Sequence, residues 1–193
     1  MYEELSDEDL MLKAGNDDVQ AFEQIFRRYE KPIFSYMYRM SRNRDLSEDY
    51  TQDVFLRLWK NREKYKPTGK FSSYLYQIAH NYFLNESIRK KISTSPLPVE
   101  EADSFVMNDN TEGTPLDKLI EKEFANYVEQ LLSEIPEPQR EVFILCRFHR
   151  MKYKEIADIL NISVRTVESR LLAATQKLIQ KFTLLSSKTE KED

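Results

Sequence analysis

The sequence predicts an all-α protein with two small helical domains joined by a flexible acidic linker, the second domain carrying a helix-turn-helix. Only three glycines occur in 193 residues, and this scarcity favours helix over sheet because hairpin turns and bulges need residues that accept positive φ. Apolar residues recur at three- and four-residue spacing along most of the chain, as in amphipathic helices. Residues 93–116 break that period with three prolines and no basic residue, which is typical of an interdomain linker. The predicted domains are therefore residues 1–92 and 117–183, with a disordered tail at 184–193.

The first domain is predicted to begin with two helices. Ser6 has a capping side chain and should begin a short helix that ends at Gly15. Asn16 or Asp17 should begin the second helix, which Pro32 is expected to kink or restart. One side of this second helix is apolar and is predicted to face the core: Val19, Phe22, Phe26 and Tyr29.

Two further helices are predicted to complete the first domain. Ser47 is followed by two acids that the helix dipole favours, which predicts a helix over 48–62. The segment KPTG at 66–69 breaks the chain, and a helix should follow from about residue 71 to 91. The predicted core faces are Tyr50, Val54, Leu58 and Trp59 on the first of these helices, and Leu75, Ile78, Ala79, Tyr82 and Ile88 on the second.

The second domain is predicted to hold helices at 117–134, 137–149, 153–160 and 164–182. Its stretch YKEIADILNISVRTVESRL, residues 153–171, has the spacing of a helix-turn-helix. Asn161 and Ile162 form the predicted turn, and Ser163 caps the second helix. The predicted inner residues are Ile156, Ala157, Leu160, Val164, Val167 and Leu171; the predicted outer ones are Arg165, Thr166, Glu168, Ser169 and Arg170. Such an outer face can enter the major groove, but the same spacing fits a helical hairpin with a solvated charged face.

Aromatic and basic side chains are interleaved over KYKPTGKFSSYLYQIAHNYFLNESIRKK, residues 64–91. Basic groups hold a phosphate backbone, and aromatic rings stack on unpaired bases with about 1–3 kcal/mol each. The pattern favours single-stranded or melted DNA over intact duplex. Any one ring, Tyr82 in particular, is better explained as part of the core.

The overall charge does not exclude nucleic acid. The formal net charge is −4, yet residues 57–91 and residues 138–181 each hold nine Lys or Arg, whereas residues 1–26 hold eight acids against one lysine. Such local patches set the field at a contact surface, because salt screens charges beyond about 8–10 Å.

Several other classes of function find little support. His80 and His149 have no ligand partners at metal-binding spacing, Cys146 lies in an apolar run, and no Gly-rich phosphate loop occurs. We therefore predict no catalytic residue, no metal and no cofactor. The N-terminus is acidic and no apolar run approaches the roughly 18 residues of a membrane span, which argues against a signal peptide and against membrane insertion. We expect a cytoplasmic protein that is not an enzyme and is a monomer when free.

Taken in order, three segments and the linker resemble a known family. SEDYTQDVFLRLWKNREKY, then FSSYLYQIAHNYFLNESIRKK, then the acidic linker, then IPEPQREVFILCRFHRMKYKEIADILNISVRTVESRLLAATQKL is similar to the extracytoplasmic-function (ECF) sigma factors of bacterial RNA polymerase. The resemblance covers about residues 7–91 and 117–182. It implies a non-catalytic factor that confers promoter choice on the polymerase. The implied partners are core RNA polymerase, through its β′ clamp helices and β flap, promoter DNA, and an anti-sigma factor.

The resemblance also implies three sets of contact residues. The clamp helices would be bound by Asp49, Gln52, Asp53, Leu56 and Arg57. The non-template strand of the −10 element would be melted and captured by Lys70, Phe71, Tyr74, Tyr76, Asn81, Asn85 and Arg89. The −35 element would be read as duplex by the helix-turn-helix, through Lys154, Ser163, Arg165, Thr166, Glu168, Ser169, Arg170 and Leu172.

Three positions depart from the family's pattern. Glu168 stands where Lys or Arg is usual, Ala173 where a basic residue is frequent, and Tyr74 where Trp is frequent. Because a glutamate can accept a hydrogen bond from a cytosine amino group, the preferred −35 sequence should differ. Two alternatives to the sigma factor remain at this point. One is a stand-alone helix-turn-helix regulator, which would need a sensing or receiver domain; the other is an RNA- or single-strand-binding adaptor.

Overall fold

The first half of the chain folds into four α-helices in the computed structural model, which describes residues 2–92 and 127–189. These are α1 (Asp7–Gly15), α2 (Val19–Ser41), α3 (Arg44–Lys60) and α4 (Phe71–Ile92), with a 3-10 turn at Arg62–Lys64. The predicted linker at 93–116 lies outside the described residues, as do the predicted helix start at 117 and the end of the predicted tail.

The second half contains α5 (127–133), α6 (Glu137–Arg147), α7 (Tyr153–Leu160) and α8 (Val164–Thr189). Within the part of the chain that the structure describes there is no β-strand, and the all-α prediction is confirmed. Helix α8 continues past its predicted end at 182, so residues 184–189 of the predicted tail are helical.

Capping side chains explain where the first two helices begin. The hydroxyl of Ser6 accepts the Asp9 N–H at 3.1 Å and caps α1, as predicted. Helix α2 begins after Asp18, whose carboxylate accepts the Ala21 N–H at 3.1 Å, slightly later than predicted. It continues through Pro32 as one helix and is not restarted there.

The predicted N-cap of α3 was wrong. The helix begins at Arg44, because the side-chain oxygen of Asn43 accepts the Leu46 N–H at 2.8 Å. Asn43 directly follows Arg42, whose left-handed backbone (φ 57°) ends α2. Ser47 is instead buried one turn inside the helix, where its hydroxyl donates to the Asn43 carbonyl at 2.5 Å.

The core of the first half lies among α1 to α4, and most of the predicted core residues are in it. Trp59 and Ile78 are half-buried. Val19 and Ile88 are 64% and 47% exposed, so their predicted burial was wrong. Helix α2 turns Ala21 and Ile25 inward instead. The predicted residues that are buried are Tyr50, Val54, Leu58, Leu75, Ala79 and Tyr82.

The two halves share one continuous hydrophobic core. Helix α7 packs against α4, and α6 packs against α2. Tyr36 and Tyr76 of the first half lie in this core together with Val142 and Ile156 of the second. This packing places the helix-turn-helix against α4, the helix that carries most of the interleaved aromatic and basic residues of 64–91.

Candidate nucleic-acid and polymerase interfaces

The helix-turn-helix of the second half is formed by α7 and the first turns of α8. Ile156 and Val167 are fully buried where the helices cross, and Ala157 is nearly so. Asn161 takes the left-handed conformation (φ 52°) that ends α7. Ser163 then accepts the Thr166 N–H at 3.0 Å and caps α8, as predicted. These local signals produce the crossed pair of helices that the spacing predicted.

The outer face of this unit is open to solvent. Thr166 and Arg170 are half-buried, and Val164, predicted to face inward, is 41% exposed. A helix N-terminus with exposed polar and basic side chains can enter a major groove and hydrogen-bond to base edges. The other predicted −35 residues are exposed: Lys154, Ser163, Arg165, Glu168, Ser169 and Leu172.

The five predicted polymerase contacts share the outer face of α3. Asp49, Gln52, Asp53, Leu56 and Arg57 are all exposed, and Leu56 is 52% exposed although it is a large apolar side chain. Four of them line an open cleft of about 480 Å³ between α3 and α4, together with Leu46, Tyr50, Tyr82, Glu86 and Arg89. An exposed leucine beside acidic and basic groups suits docking of a partner helix, since the apolar contact contributes affinity and the charges set orientation.

Tyr82 organises this cleft from α4, a role that sequence patterns did not predict. Its hydroxyl donates to the Asp53 carboxylate at 2.6 Å, and the Arg57 guanidinium lies 4.7 Å from the centre of its ring. Burial, with the hydrogen bond to Asp53, raises the pKa of Tyr82 well above its usual value. Tyr82 therefore stays protonated and holds two neighbouring side chains of α3 in place.

The predicted single-strand residues of α4 fall into two groups. Asn81, Asn85 and Arg89 are exposed along the second half of the helix, and Lys70 and the half-buried Tyr74 lie near its start. Asparagine amides and a guanidinium can hydrogen-bond to base edges and phosphates. This group forms an accessible polar stripe.

Phe71 and Tyr76 are both buried. Their expected role in base stacking would require exposed rings. Phe71 is fully buried in the core of the first half, with its ring centre 5.4 Å from Tyr29 and 5.9 Å from Tyr65. We attribute to Phe71 a structural role in place of the expected stacking. Tyr76 is 3% exposed for a different reason, because the second half of the chain covers it.

A buried polar cluster joins the halves around Glu141 of α6. Its carboxylate accepts from the Tyr36 hydroxyl at 2.5 Å and lies 2.7 Å from His80 Nδ1. Burial, and then the charge and hydrogen bond of Glu141, raise the pKa of Tyr36. Hydrogen bonds to a charged acceptor contribute about 1.5–3 kcal/mol each when they are buried. Sequence patterns could not predict this cluster, since its members lie far apart in the chain.

His149 forms a second contact between the halves. Its Nδ1 lies 2.7 Å from the Tyr76 hydroxyl, and its ring centre is 6.1 Å from that of Tyr36. Its Nε2 is buried without a hydrogen-bond partner. Burial, with a contribution from the charge of Arg39, lowers the pKa of His149 to about 3. The imidazole is therefore neutral at this interface.

Charged pairs reinforce the same interface. Arg39 of α2 lies 3.1 Å from Glu129 of α5, with both side chains about one-tenth exposed, and its guanidinium sits 4.0 Å from the ring centre of Phe148. Lys70 lies 2.6 Å from Glu155 of α7. Burial raises the pKa of Glu155, but hydrogen bonds from Lys70 and the Lys152 N–H outweigh it and the net shift is downward.

The described ranges, 2–92 and 127–189, bring no three His, Cys, Asp or Glu side chains together as a metal site. None of their helices has both the length and the apolar character that crossing a bilayer requires. The receiver domain that a stand-alone regulator would need is built of alternating strands and helices, and residues 2–92 contain no strand.

Comparison with known proteins identifies the family. Residues 25–92 match Sigma-70 region 2, and residues 125–178 match Sigma-70, region 4. The ECF RNA polymerase sigma factor SigW of Bacillus subtilis is 32% identical over 167 residues, which cover 83% of this chain and 87% of SigW.

Two solved structures share the fold. CnrH in complex with the cytosolic domain of CnrY has a TM-score of 0.68 at 21% identity, covering 92% of this chain and 97% of CnrH. The sigma factor RpoE of Bartonella quintana, in complex with the anti-sigma factor NepR, has a TM-score of 0.67 at 18% identity, covering 84% and 96%. With both sigma regions present in order, and similarity to SigW over most of both chains, this protein belongs to the ECF sigma factors of bacterial RNA polymerase.

Proposed function

We propose that this chain binds core RNA polymerase in the cytoplasm through α3 and directs it to promoters with a particular pair of −35 and −10 elements. In this proposal the protein contributes no catalytic group. The polymerase supplies the chemistry, while the sigma factor supplies recognition and captures the melted strand.

The outer face of α3 carries this proposal. Five exposed side chains share one helix face there, and Leu56 offers an apolar contact among the polar and charged ones. Asp49 and Asp53 are placed to meet basic residues of a partner, and Arg57 to meet an acid. The hydrogen bond from Tyr82 to Asp53 orders this surface before binding, which lowers the entropy lost on association.

The helix-turn-helix is proposed to read the −35 element as duplex DNA. Arg165, Ser169 and Lys154 are exposed and can contact base edges or phosphates. Glu168 lies on the same exposed face, where it repels phosphates but can accept from a cytosine amino group. We infer a −35 preference shaped by this one acidic contact.

Helix α4 is proposed to hold the melted −10 strand. Asn81, Asn85 and Arg89 provide hydrogen-bond donors along its exposed stripe, and Tyr74 provides a half-exposed ring. Stacking of a base on such a ring contributes about 1–3 kcal/mol, comparable with the energy needed to flip a base out of the duplex.

An anti-sigma protein is the proposed regulator. The two solved structures of similar fold contain CnrH with the cytosolic domain of CnrY, and RpoE with the anti-sigma factor NepR. A partner of this class would need to cover the α3 face around Leu56, because that surface is the proposed contact with the polymerase.

The test is reconstitution with core RNA polymerase. The full chain should co-migrate with core and support initiation from promoters selected by the mixture from a randomised DNA pool. Leu56→Asp should abolish co-migration without changing the melting temperature, because it places a charge in the proposed apolar contact. Val19→Asp is the matched control, since Val19 is also an exposed apolar residue but lies outside all three proposed surfaces.

Three results would contradict the proposal. They are unchanged core binding by Leu56→Asp, equal loss in Val19→Asp, or tight and sequence-specific duplex binding by the chain without core. The last result would favour a stand-alone regulator.

A further inference from the structure

The short helix α1 contacts both ends of the segment that connects α3 to α4. This connecting segment, residues 61–70, leads directly into α4 and carries three exposed basic side chains: Lys64, Lys66 and Lys70. The match to Sigma-70 region 2 begins only at residue 25, so it assigns no role to α1.

Glu8 of α1 caps the first turn of α4. Its Oε1 accepts the Phe71 N–H at 2.8 Å. Lys70, the residue before the helix, cannot do this because its ammonium group only donates hydrogen bonds. A carboxylate at this position also interacts favourably with the positive end of the helix dipole. The start of α4, which carries the half-buried ring of Tyr74, is therefore held by a side chain that lies 63 positions earlier in the chain.

The other end of α1 contacts the 3-10 turn at Arg62–Lys64. The Arg62 guanidinium donates two hydrogen bonds to the Asp17 carboxylate, at 2.5 and 3.1 Å, and lies 4.1 Å from the ring centre of Trp59. A methyl group at Gly15 would meet the Arg62 carbonyl oxygen at 3.2 Å, which is closer than an ordinary van der Waals contact. The C-terminal end of α1 and the backbone of the turn are therefore in close contact.

Helix α1 is itself anchored in the first half of the chain. Arg28 of α2 lies 2.6 Å from the Asp7 carboxylate and donates to the backbone carbonyls of Glu3 and Leu5 at 2.7 and 2.9 Å. The inward face of α1 is fully buried in the core: Leu10, Met11 and Ala14. Because all of these groups belong to the first half, the restraint that α1 places on the connecting segment does not depend on the second half.

We propose that α1 positions the connecting segment for strand capture, with Glu8 and Gly15 as positioning residues at its two ends. This inference rests on the proposed role of α4 in holding the melted −10 strand. On a helix, positions 8 and 15 lie about 10 Å apart, and contacts at both positions fix the separation of the ends of the segment. The lysines and the ring of Tyr74 then meet the strand in a preset arrangement, so less conformational entropy is lost on binding.

The first experiment removes the cap of α4. Glu8→Ala should weaken binding of the holoenzyme to a fluorescent single strand with the selected −10 sequence about fivefold, because the start of α4 must then be ordered on binding. The measurement is fluorescence anisotropy with the full chain assembled on core polymerase. Glu8→Gln keeps an oxygen that can accept the Phe71 N–H and should recover most of the affinity. Affinity for core should equal that of the parent, since Glu8 lies outside the α3 face.

Two controls separate positioning from loss of stability and from loss of charge. Ile25→Val removes one methyl group from a fully buried side chain of α2, and its cost in stability is on the scale of a lost helix cap. Glu4→Ala removes an exposed acid from the segment before α1 and so reproduces the change in net charge. Both variants should bind the single strand as tightly as the parent.

The second experiment shifts the connecting segment without weakening α1. Gly15 has a negative φ, so Gly15→Ala is accommodated by the backbone and improves the helix propensity of α1. The added methyl group must nevertheless displace the carbonyl of Arg62. We expect affinity for the single strand to fall about threefold, while the melting temperature stays close to that of the parent.

Amide hydrogen exchange of the free chain tests the restraint without DNA or polymerase. Exchange at Phe71 should be about fivefold faster in Glu8→Ala than in Ile25→Val, because only the first variant removes the acceptor of this N–H. Equal exchange in the two variants overturns the inference.

The binding outcomes separate this inference from the proposed function. If the parent holoenzyme binds no single strand, the proposed role of α4 fails and the inference fails with it. If the parent binds the strand and Glu8→Ala or Gly15→Ala binds it equally well, only the inference fails. An equal loss of strand affinity in Glu8→Ala and Ile25→Val also overturns the inference, because stability alone then explains the effect.

Discussion

Contact between the two halves should weaken as the pH falls from 7 to 5, and His149 sets the magnitude. In the closed state, with the two halves in contact as they are in this structure, this side chain is enclosed by Tyr76 of α4 and by Tyr36 and Arg39 of α2. Burial, with the charge of Arg39, holds the pKa of His149 at about 3. When the halves separate, the imidazole reaches water and its pKa returns to about 6.5.

The direction of this pH effect follows from the number of protons that each state binds. The pKa is lower in the closed state than in the open one, so His149 opposes closure only where the open state is protonated. Its penalty is absent above about pH 6.5 and grows by about 1.4 kcal/mol per pH unit as the pH falls towards 3. Between pH 7 and pH 5 the closed state therefore loses about 2 kcal/mol, roughly a 25-fold change in the ratio of closed to open molecules.

The assay is energy transfer between dyes on exposed positions of the two halves, such as residues 20 and 176, recorded from pH 7 to pH 5 at constant ionic strength. His149→Gln cannot take up a proton, so it removes this contribution while the pair of His80 and Glu141 at the same interface stays in place. A parent protein whose closed fraction stays constant, or a His149→Gln variant that opens as much as the parent, would refute the reasoning.

Three further predictions concern stability, DNA and polymerase. Leu58→Ala removes a fully buried side chain from the core of the first half and should lower the free energy of unfolding by about 2–5 kcal/mol in a denaturant titration, with an effect below 1 kcal/mol contradicting the packing. Glu168→Gln removes an exposed acid from the duplex-reading face and should tighten binding to random duplex by about 0.5–1 kcal/mol at low salt, with the gain fading as salt rises. Tyr82→Phe keeps the ring beneath Arg57 but removes the hydrogen bond to Asp53, so affinity for core polymerase should fall about fivefold, or about 1 kcal/mol, at an unchanged melting temperature. An affinity equal to that of the parent would exclude a positioning role for Tyr82.

Local signals predicted the helix-turn-helix well because every interaction that shapes it lies within a few residues. The Ser163 cap, the left-handed Asn161 and the buried Ile156 and Val167 all act over one or two turns. The prediction of where α3 begins failed for a related reason. Asn43 and Ser47 are both capping residues one turn apart, and the left-handed Arg42, which the sequence did not reveal, decides between them.

Sequence patterns could not predict how the two halves pack together, because the contacts join residues very far apart in the chain. Tyr36 and Glu141 are separated by 105 positions, and Tyr76 and His149 by 73. Neither histidine stood out in the sequence, since an isolated His has no pattern. The family resemblance implied a strand-binding role for Tyr76, and its burial depends in part on the distant contact with His149.

Ion pairs within the chain resolve the conflict between a net charge of −4 and a DNA-binding role. Basic residues of the first half are partly paired with its own acids: Arg28 lies 2.6 Å from Asp7, and Arg62 lies 2.5 Å from Asp17. Lys70 is paired with Glu155 of α7 in the second half. Of these three cations, only Lys70 has its partner in the other half of the chain. Acids of the chain are therefore partly neutralised by its own basic residues, and the net charge does not describe the field at any one exposed surface.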